Sequence, residues 1–309
     1  GKDTLSSSGS YNLLIGGAGN DLVTSSGLGD TLMASQAGDT LSSSGVGNTL
    51  IAQSGADTLV STGGLDILVG NGQGSKLVGT GSFLGVATYS SDNTVVDLSQ
   101  GTATISGSSL SDTLVGFEAA WVSGSNDTLV GSNGGDQLTA TGSDDIVLGG
   151  AGNDTLFINS GNNTFYGGDG QNTFTVESAV VNDGLDQPQN LIADFDPSRD
   201  VIDLSHVNGV SSLADLIFDT VSYGGASYLE IGLGSGQAIM LAGVAETQLG
   251  SANFTFKDTN ASDTIVGNSG NNLLVANSGN DTLVGGGGSD TYRVGSSFGQ
   301  DVIQNNASD

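Results

Sequence analysis

The chain has 309 residues, enough for two or three ordinary domains, but its composition is unusual: 52 Gly, 33 Asp and Glu, 5 Lys and Arg, 2 Pro and no Cys. A net charge of −28 excludes the electrostatic footprint that nucleic acid or an anionic membrane surface requires. Such a chain is either disordered or neutralised by cations.

High charge with few aromatics is the composition of disorder. Against it, 36% of the residues are hydrophobic and they recur at a fixed spacing. Order is therefore expected of a metal-loaded chain and disorder of a metal-free one. No stretch reaches the roughly 20 apolar residues of a membrane span. No secretory signal is visible, and the sequence starts at Gly1 without an initiator Met. Lack of Cys excludes a disulfide framework and suits a chain that passes from a reducing to an oxidising space.

Residues 7–78 divide without a gap into eight nine-residue units, from SSGSYNLLI and GGAGNDLVT to GNGQGSKLV. The eighth position is apolar (Leu32, Leu41, Leu50, Leu59, Leu68) and flanked by outward positions seven and nine, the pattern of a short strand. The first six positions are rich in Gly, Asn, Asp and Ser, the residues of tight turns. Two units then make one coil, with a strand on each face. No unit buries its own core, so stability comes from stacking.

Residues 79–121 break the frame. VATYSSDNTVVDLSQGTATISG alternates as half-buried strands do, and DTLVGFEAAWVSGSNDTLVG returns to the repeat. This segment is expected to pack on the roll as an excursion, with Phe117 and Trp121 as its core anchors. Residues 122–175 give six more units, among them VSGSNDTLV, GGAGNDTLF and GGDGQNTFT.

Residues 176–257 are a larger interruption. IADFDPSRDVIDLSHVNGVSSLADLI predicts a short helix near Ser212–Phe218, and hairpins are expected around Tyr228–Ile231 and Ala238–Leu241. Asp194, Asp196, Asp200 and Asp203 are either a further calcium site or turn residues. Four more units, DTNASDTIV to GGGGSDTYR, fill 258–293. The fold class expected is therefore all-β, a parallel β-roll solenoid. It divides into a degenerate roll (1–78), a strand-rich insertion (79–121), a second roll (122–175), a cap-like spacer (176–257) and a third roll (258–309). Gly1 stands at the fourth position of a unit, and residues 306–309 echo 260–263, so the expected molecule is a piece of a longer array with open edges.

These units resemble the repeats-in-toxin family, the haemolysin-type calcium-binding repeats, whose pattern is G-G-x-G-x-D-x-U-x. Close matches are 149–157, 16–24 and 285–293, and 167–175 matches apart from Asn172 at the Asp position. In a two-unit coil the sixth positions stack at about 4.8 Å. One flank of the first block then carries Asp3, Asp21, Asp39 and Asp57, and the other alternates Asn12, Asp30, Asn48 and Asp66. Asp127 lies under Asp145, Asp136 under Asp154, and Asp263 under Asp281. Adjacent carboxylates at that spacing repel by about 1–3 kcal/mol per pair, which calcium between the turns would reverse, taking backbone carbonyls as further ligands.

The candidate ligands in the first block are Gly16, Gly17, Gly19, Asp21, Asp39 and Asp57. In the second they are Asp127, Asp136, Asp145, Gly149, Gly150, Gly152, Asp154, Gly167, Gly168, Asp169 and Gly170. In the third they are Asp263, Asp281, Gly285, Gly286, Gly288 and Asp290. Several calcium ions are implied. The competing reading is that these Asp residues only form turns through Asx-type bonds. For units that open Ser-Ser or Ala-Ser, both readings stand, and Ser75 and Lys76 leave unit 70–78 without a ligand carboxylate.

No catalytic constellation is legible. His206 is the one histidine and cannot make an H-E-x-x-H site. Ser297, in Gly295-Ser-Ser-Phe-Gly299, has no later His. The expected function is a non-enzymatic, calcium-dependent structural module of an exported surface protein (adhesin, surface layer or filament). The resemblance implies that it leaves the cell unfolded by type I secretion and folds in external calcium. Two alternatives stand beside it. One is the accessory roll of a secreted enzyme whose catalytic domain lies elsewhere. The other is an ice- or sugar-binding face, on which Thr31 lies beside Thr49 and Thr40 beside Thr58. The expected partners are calcium and further copies of the chain, end to end or side by side, at an extracellular or cell-surface location.

Overall fold

A computed structural model describes residues 1–80, 85–177, 190–210, 212–234, 237–256, 262, 264–266, 273–276, 279–285, 289–294 and 299–304. It is a β-solenoid of parallel strands in two compact units, residues 1–141 with 145–148, and 142–144 with 149–309. No helix among the described residues is long and apolar enough to cross a membrane.

Between residues 4 and 79 of the first unit every strand pairs in parallel with the strand 18 residues away, two repeats per coil. One face stacks Thr4–Ser7, Leu22–Ser25, Thr40–Ser43, Thr58–Ser61 and Lys76–Gly79. The other stacks Leu13–Ile15, Thr31–Met33, Thr49–Ile51, Ile67–Val69, Val86–Tyr89 and Ala119–Ser125. The register places Leu32 beside Leu50 and Leu50 beside Leu68, each fully buried, with Leu41, Leu59 and Leu77 opposite. Each such leucine contributes about 1.5–3 kcal/mol of burial, but only because its neighbours in the stack exclude water.

The insertion is not laid on the roll. Its hairpin, Thr94–Asp97 with Thr102–Ile105, joins the first sheet between Ser111–Val115, which pairs with Lys76–Gly79, and Thr128–Val130. Entering the sheet satisfies the backbone groups that an interrupted ladder would leave open. Phe117 is buried, as expected of a core anchor, but Trp121 is 42% exposed. Ala120 and Val122 point inward on that strand, so the alternation puts Trp121 outside. The Thr rows are two residues long: Leu13 and Ile67 bound Thr31 and Thr49, and Leu22 and Lys76 bound Thr40 and Thr58.

In the second unit Thr155–Ile158, Thr173–Val176, Val201–Asp203 and Phe254–Thr255 stack in parallel. Thr164–Tyr166 and Leu191–Ile192 lead to an antiparallel meander of Gln237–Ala242, Ala226–Gly234 and Ile217–Tyr223. The helix expected near Ser212–Phe218 is one 3-10 turn, Leu213–Asp215, capped by the Ser212 amide on Asp215 Oδ2 at 3.0 Å. It stops because Leu216 is extended and the β-branched run beyond it enters the meander. Parallel strands resume at Thr264–Val266, Thr282–Val284 and Val302–Gln304, and at Leu273–Ala276 and Thr291–Val294.

Candidate metal-binding turns

The sixth-position side chains form a ladder with the backbone. The Asp3 amide donates to Asp21 Oδ1 at 2.7 Å, Asp21 to Asp39 Oδ1 at 2.8 Å and Asp39 to Asp57 Oδ1 at 3.1 Å. On the other flank Asn12, Asp30 and Asn48 donate to Oδ1 of Asp30, Asn48 and Asp66, each at 2.7 Å. One oxygen per turn is thus a structural acceptor, a role Asn fills as well as Asp. Ser75 Oγ does the same for the Asp57 amide at 3.1 Å.

The second side-chain atom separates the flanks. Where units open with Ser, that hydroxyl completes the turn. Ser25 Oγ donates to Asp30 Oδ2 at 2.5 Å and Ser61 Oγ to Asp66 Oδ2 at 2.7 Å. Asn48 and Asn12 instead donate their amides to Ser43 Oγ at 2.8 Å and Ser7 Oγ at 2.9 Å. A hydroxyl both donates and accepts, so the Asp–Asn alternation is satisfied with protein groups alone. Burial pushes the Asp30 carboxyl up, but bonds from Ser25 and Asn12 prevail and hold it below its ordinary value.

On the opposite flank carboxylate follows carboxylate. Asp21 Oδ2 accepts the Gly17 amide at 2.6 Å and Asp39 Oδ2 the Ser35 amide at 3.1 Å. A Cβ on Gly16 would lie 3.0 Å from Asp39 Oδ2, so the glycine keeps that oxygen uncovered. Asp57 Oδ2 is buried with no hydrogen-bond partner. Burial first, then the charges of Asp39 and Asp112, push the Asp57 carboxyl up to about 6 despite the Asp39 and Gly38 amides.

Unit 70–78 has no carboxylate of its own, and the insertion supplies one. Asp112 is fully buried and accepts amides from Asn71 (3.0 Å), Gly72 (2.8 Å), Gly74 (3.0 Å) and Ser75 (2.7 Å), and the Tyr89 hydroxyl at 3.1 Å. Burial and the Asp112 charge push the Tyr89 hydroxyl's pKa upward. The signal that could have found Asp112 is the tetrad Asp112-Thr-Leu-Val, a repeat strand displaced by the insertion.

Further along, the Asp127 amide donates to Asp145 Oδ1 at 2.9 Å, and Asp127 Oδ2 is buried without a partner. Burial, and then Asp92, raise the Asp127 carboxyl despite the Thr94 amide. Asp136 Oδ2 accepts the Ser132 amide at 2.6 Å and its hydroxyl at 2.9 Å, while burial raises it. In the second unit Gly150 (φ 105°), Gly152 (φ 120°), Gly168 (φ 79°) and Gly170 (φ 101°) take backbone that only glycine adopts freely. A Cβ on Gly149 would lie 2.6 Å from Asp154 Oδ2, and the Asp154 amide donates to Asn172 Oδ1 at 3.0 Å. The Asp169 amide donates to the Gly150 carbonyl at 2.9 Å.

All four aspartates of the spacer carry hydrogen bonds or an ion pair. Gly167 and Gly168 donate to the two Asp194 oxygens at 2.7 and 2.9 Å, and Asn172 and Asp196 to those of Asp200, both at 2.9 Å. Arg199 pairs with Asp196 at 3.0 Å and donates to the Gly168 carbonyl at 3.3 Å, and Asp203 accepts the Ser205 amide at 2.9 Å. Burial pushes Asp200 up to about 6. In the third block the Asp281 amide donates to Asp301 Oδ1 at 2.9 Å, and Asp301 Oδ2 is buried without a partner. The sequence reading missed Asp301, because the frame it follows ends at residue 293. A Cβ on Gly285 would meet Asp290 Oδ2 at 2.2 Å. Asp263, Gly286 and Gly288 lie outside the described residues.

Among the described residues no three acidic, His or Cys side chains converge as a metal cluster. A cation in these turns would therefore rely on backbone carbonyls beside one or two carboxylates, a donor set that suits calcium. The family model of the RTX calcium-binding nonapeptide repeat, in four copies, matches residues 1–32, 43–74, 121–156, 159–177 and 259–292. The chain is a repeats-in-toxin repeat protein. The matched stretches of this RTX chain fall on the repeat blocks and leave out most of the two interruptions. No curated protein matches it over its length or in part. The RTX roll is a structural, calcium-binding fold.

Proposed function

We propose that the chain is a non-enzymatic, extracellular spacer in an exported surface protein, an adhesin, surface layer or filament, and that it folds on binding calcium after secretion. Buried carboxylate oxygens without a partner, Asp57 Oδ2 and Asp127 Oδ2, carry this reading. A buried unpaired charge costs several kcal/mol, and on the flank of Asp57 carboxylate is stacked on carboxylate from Asp21 through Asp39. The residues that would hold the ions are the column Asp3, Asp21, Asp39 and Asp57, then Asp127 with Asp145, Asp154, and Asp281 with Asp301, together with carbonyls of the adjoining glycine turns. When bound, calcium supplies the positive charge that makes this stacking favourable. The leucine stack supplies stiffness, since each coil is fixed only by the coils on either side.

Limited proteolysis of the full chain tests the reading. In millimolar calcium the chain is expected to resist cleavage, and in chelator to be cut throughout the repeat blocks. Equal resistance in both would sink it.

A further inference from the structure

The roll places a ladder residue at the sixth position of each unit, and the coil beneath Asp127 departs from the acidic pattern. There the insertion supplies the strand, with Val95 paired to Thr128, so Thr94 falls at the sixth position. The Thr94 amide donates to Asp127 Oδ1 at 2.8 Å, as the ladder requires. Its hydroxyl turns back to the Ser91 carbonyl and carries no charge. Asp127 is 1% exposed and its Oδ2 has no partner.

Two positions before Thr94, where the repeat pattern has Gly, stands Asp92. It is exposed, and its Oδ1 accepts the Ser125 amide at 3.0 Å. A Cβ on Gly124 would lie 3.0 Å from Asp92 Oδ1 and 3.0 Å from Asp127 Oδ2. The two oxygens are therefore at most twice that distance apart, and the bare glycine lies beside both. Calcium bonds oxygen at about 2.3–2.6 Å and tolerates irregular ligand sets, whereas magnesium demands a near-ideal octahedron.

We propose that Asp92 and Asp127 together hold a calcium-type divalent cation, at a site built half from the insertion and half from the repeat. The carboxylate missing from the sixth position is replaced by one two residues earlier on the chain. The cation ties the Ser91–Asn93 turn to the roll, so the insertion docks with the same chemistry that closes the repeats. This rests on the calcium reading of the roll and adds a ligand that the repeat pattern does not contain.

The test uses terbium(III) as a calcium surrogate on the full chain. Trp121 is the one tryptophan and lies three residues before Gly124 on one strand, about 10 Å away at strand rise. Excitation of Trp121 is expected to sensitise terbium emission that calcium displaces. Asp92→Asn keeps an acceptor for the Ser125 amide and removes the charge, so a purely structural role would leave the emission unchanged. The proposal expects about tenfold weaker terbium and calcium binding at this signal, with the circular dichroism of the calcium-loaded chain unaltered. Gly124→Ala is expected to weaken it likewise, and Asp3→Asn, at the far end of the first block, to leave it alone. Wild-type binding by Asp92→Asn overturns the site while the roll's other ions remain. If the wild-type chain neither sensitises terbium nor responds to calcium, both the site and the calcium reading fail.

Discussion

The amide of Ser75 donates to Asp112 Oδ1 at 2.7 Å across 37 residues, so the insertion returns a carboxylate to the turn from which the repeat dropped it. Because all five donors to Asp112 are protein groups, its contribution is independent of metal. Asp112→Ala leaves four buried or half-buried amides and the Tyr89 hydroxyl without their acceptor. A loss of about 3–5 kcal/mol is expected, the range for breaking a buried charged network. Chemical denaturation in saturating calcium measures it, and a loss below about 1 kcal/mol would contradict this role.

The serine-opened flank is complete without a cation. Ser25→Ala removes the hydroxyl that satisfies Asp30 Oδ2 inside the turn. Leaving that acceptor unmet is expected to destabilise the chain by about 1–3 kcal/mol. The number of bound calcium ions, read by calorimetry, is expected to stay the same. A lost ion on Ser25→Ala would mean that this flank binds metal after all.

In chelator the pH dependence follows from Asp57 and Asp200, whose carboxyls are pushed up to about 6 by burial. An unfolded carboxyl titrates near 3.9, so the folded chain holds these protons more tightly. Their contribution to stability is full below about pH 4 and is lost as pH rises through 6. The metal-free chain, disordered at pH 7, is therefore expected to recover part of its β-structure at pH 5, read by circular dichroism, and Asp57→Asn to recover part of it at pH 7. Calcium affinity is expected to move the other way, rising with pH as the carboxyls deprotonate. A metal-free chain with more β-structure at pH 7 than at pH 5 would contradict this assignment.

At the fifth position of the serine-opened turns the backbone is left-handed. Gly29 (φ 66°) and Gly47 (φ 68°) adopt it freely, but Tyr11 (φ 59°) and Leu65 (φ 56°) take it with a side chain. Leu65 is mostly exposed, so its side chain offers little burial in return. Leu65→Gly is expected to stabilise the first unit by about 1 kcal/mol, within the penalty for left-handed non-glycine residues. A thermal melt in calcium checks the sign.

What the sequence made legible was whatever repeats. The nine-residue frame alone predicts that Leu32, Leu50 and Leu68 stack inward and that Thr31 lies beside Thr49. The same frame carried back one residue puts Trp121 at an outward ninth position, which its size as a core candidate obscured. Asp92, Asp112 and Asp301 were not legible as ladder or turn groups. Their partners lie 33, 37 and 20 residues away, across stretches where no period fixes the register. The roles of Ser7, Ser25, Ser43 and Ser61 were hidden differently. Turn composition shows that Ser is tolerated there, but only the packed turn shows its hydroxyl meeting the Asp or Asn five residues on.

Circular dichroism of the full chain during a calcium titration from chelator, with magnesium as the control, tests the central claim most directly. The expected result is a disordered chain that converts cooperatively to β-structure in calcium and not in magnesium. A chain already β-structured in chelator and indifferent to calcium would contradict it, leaving the aspartate columns as turn ladders and nothing more.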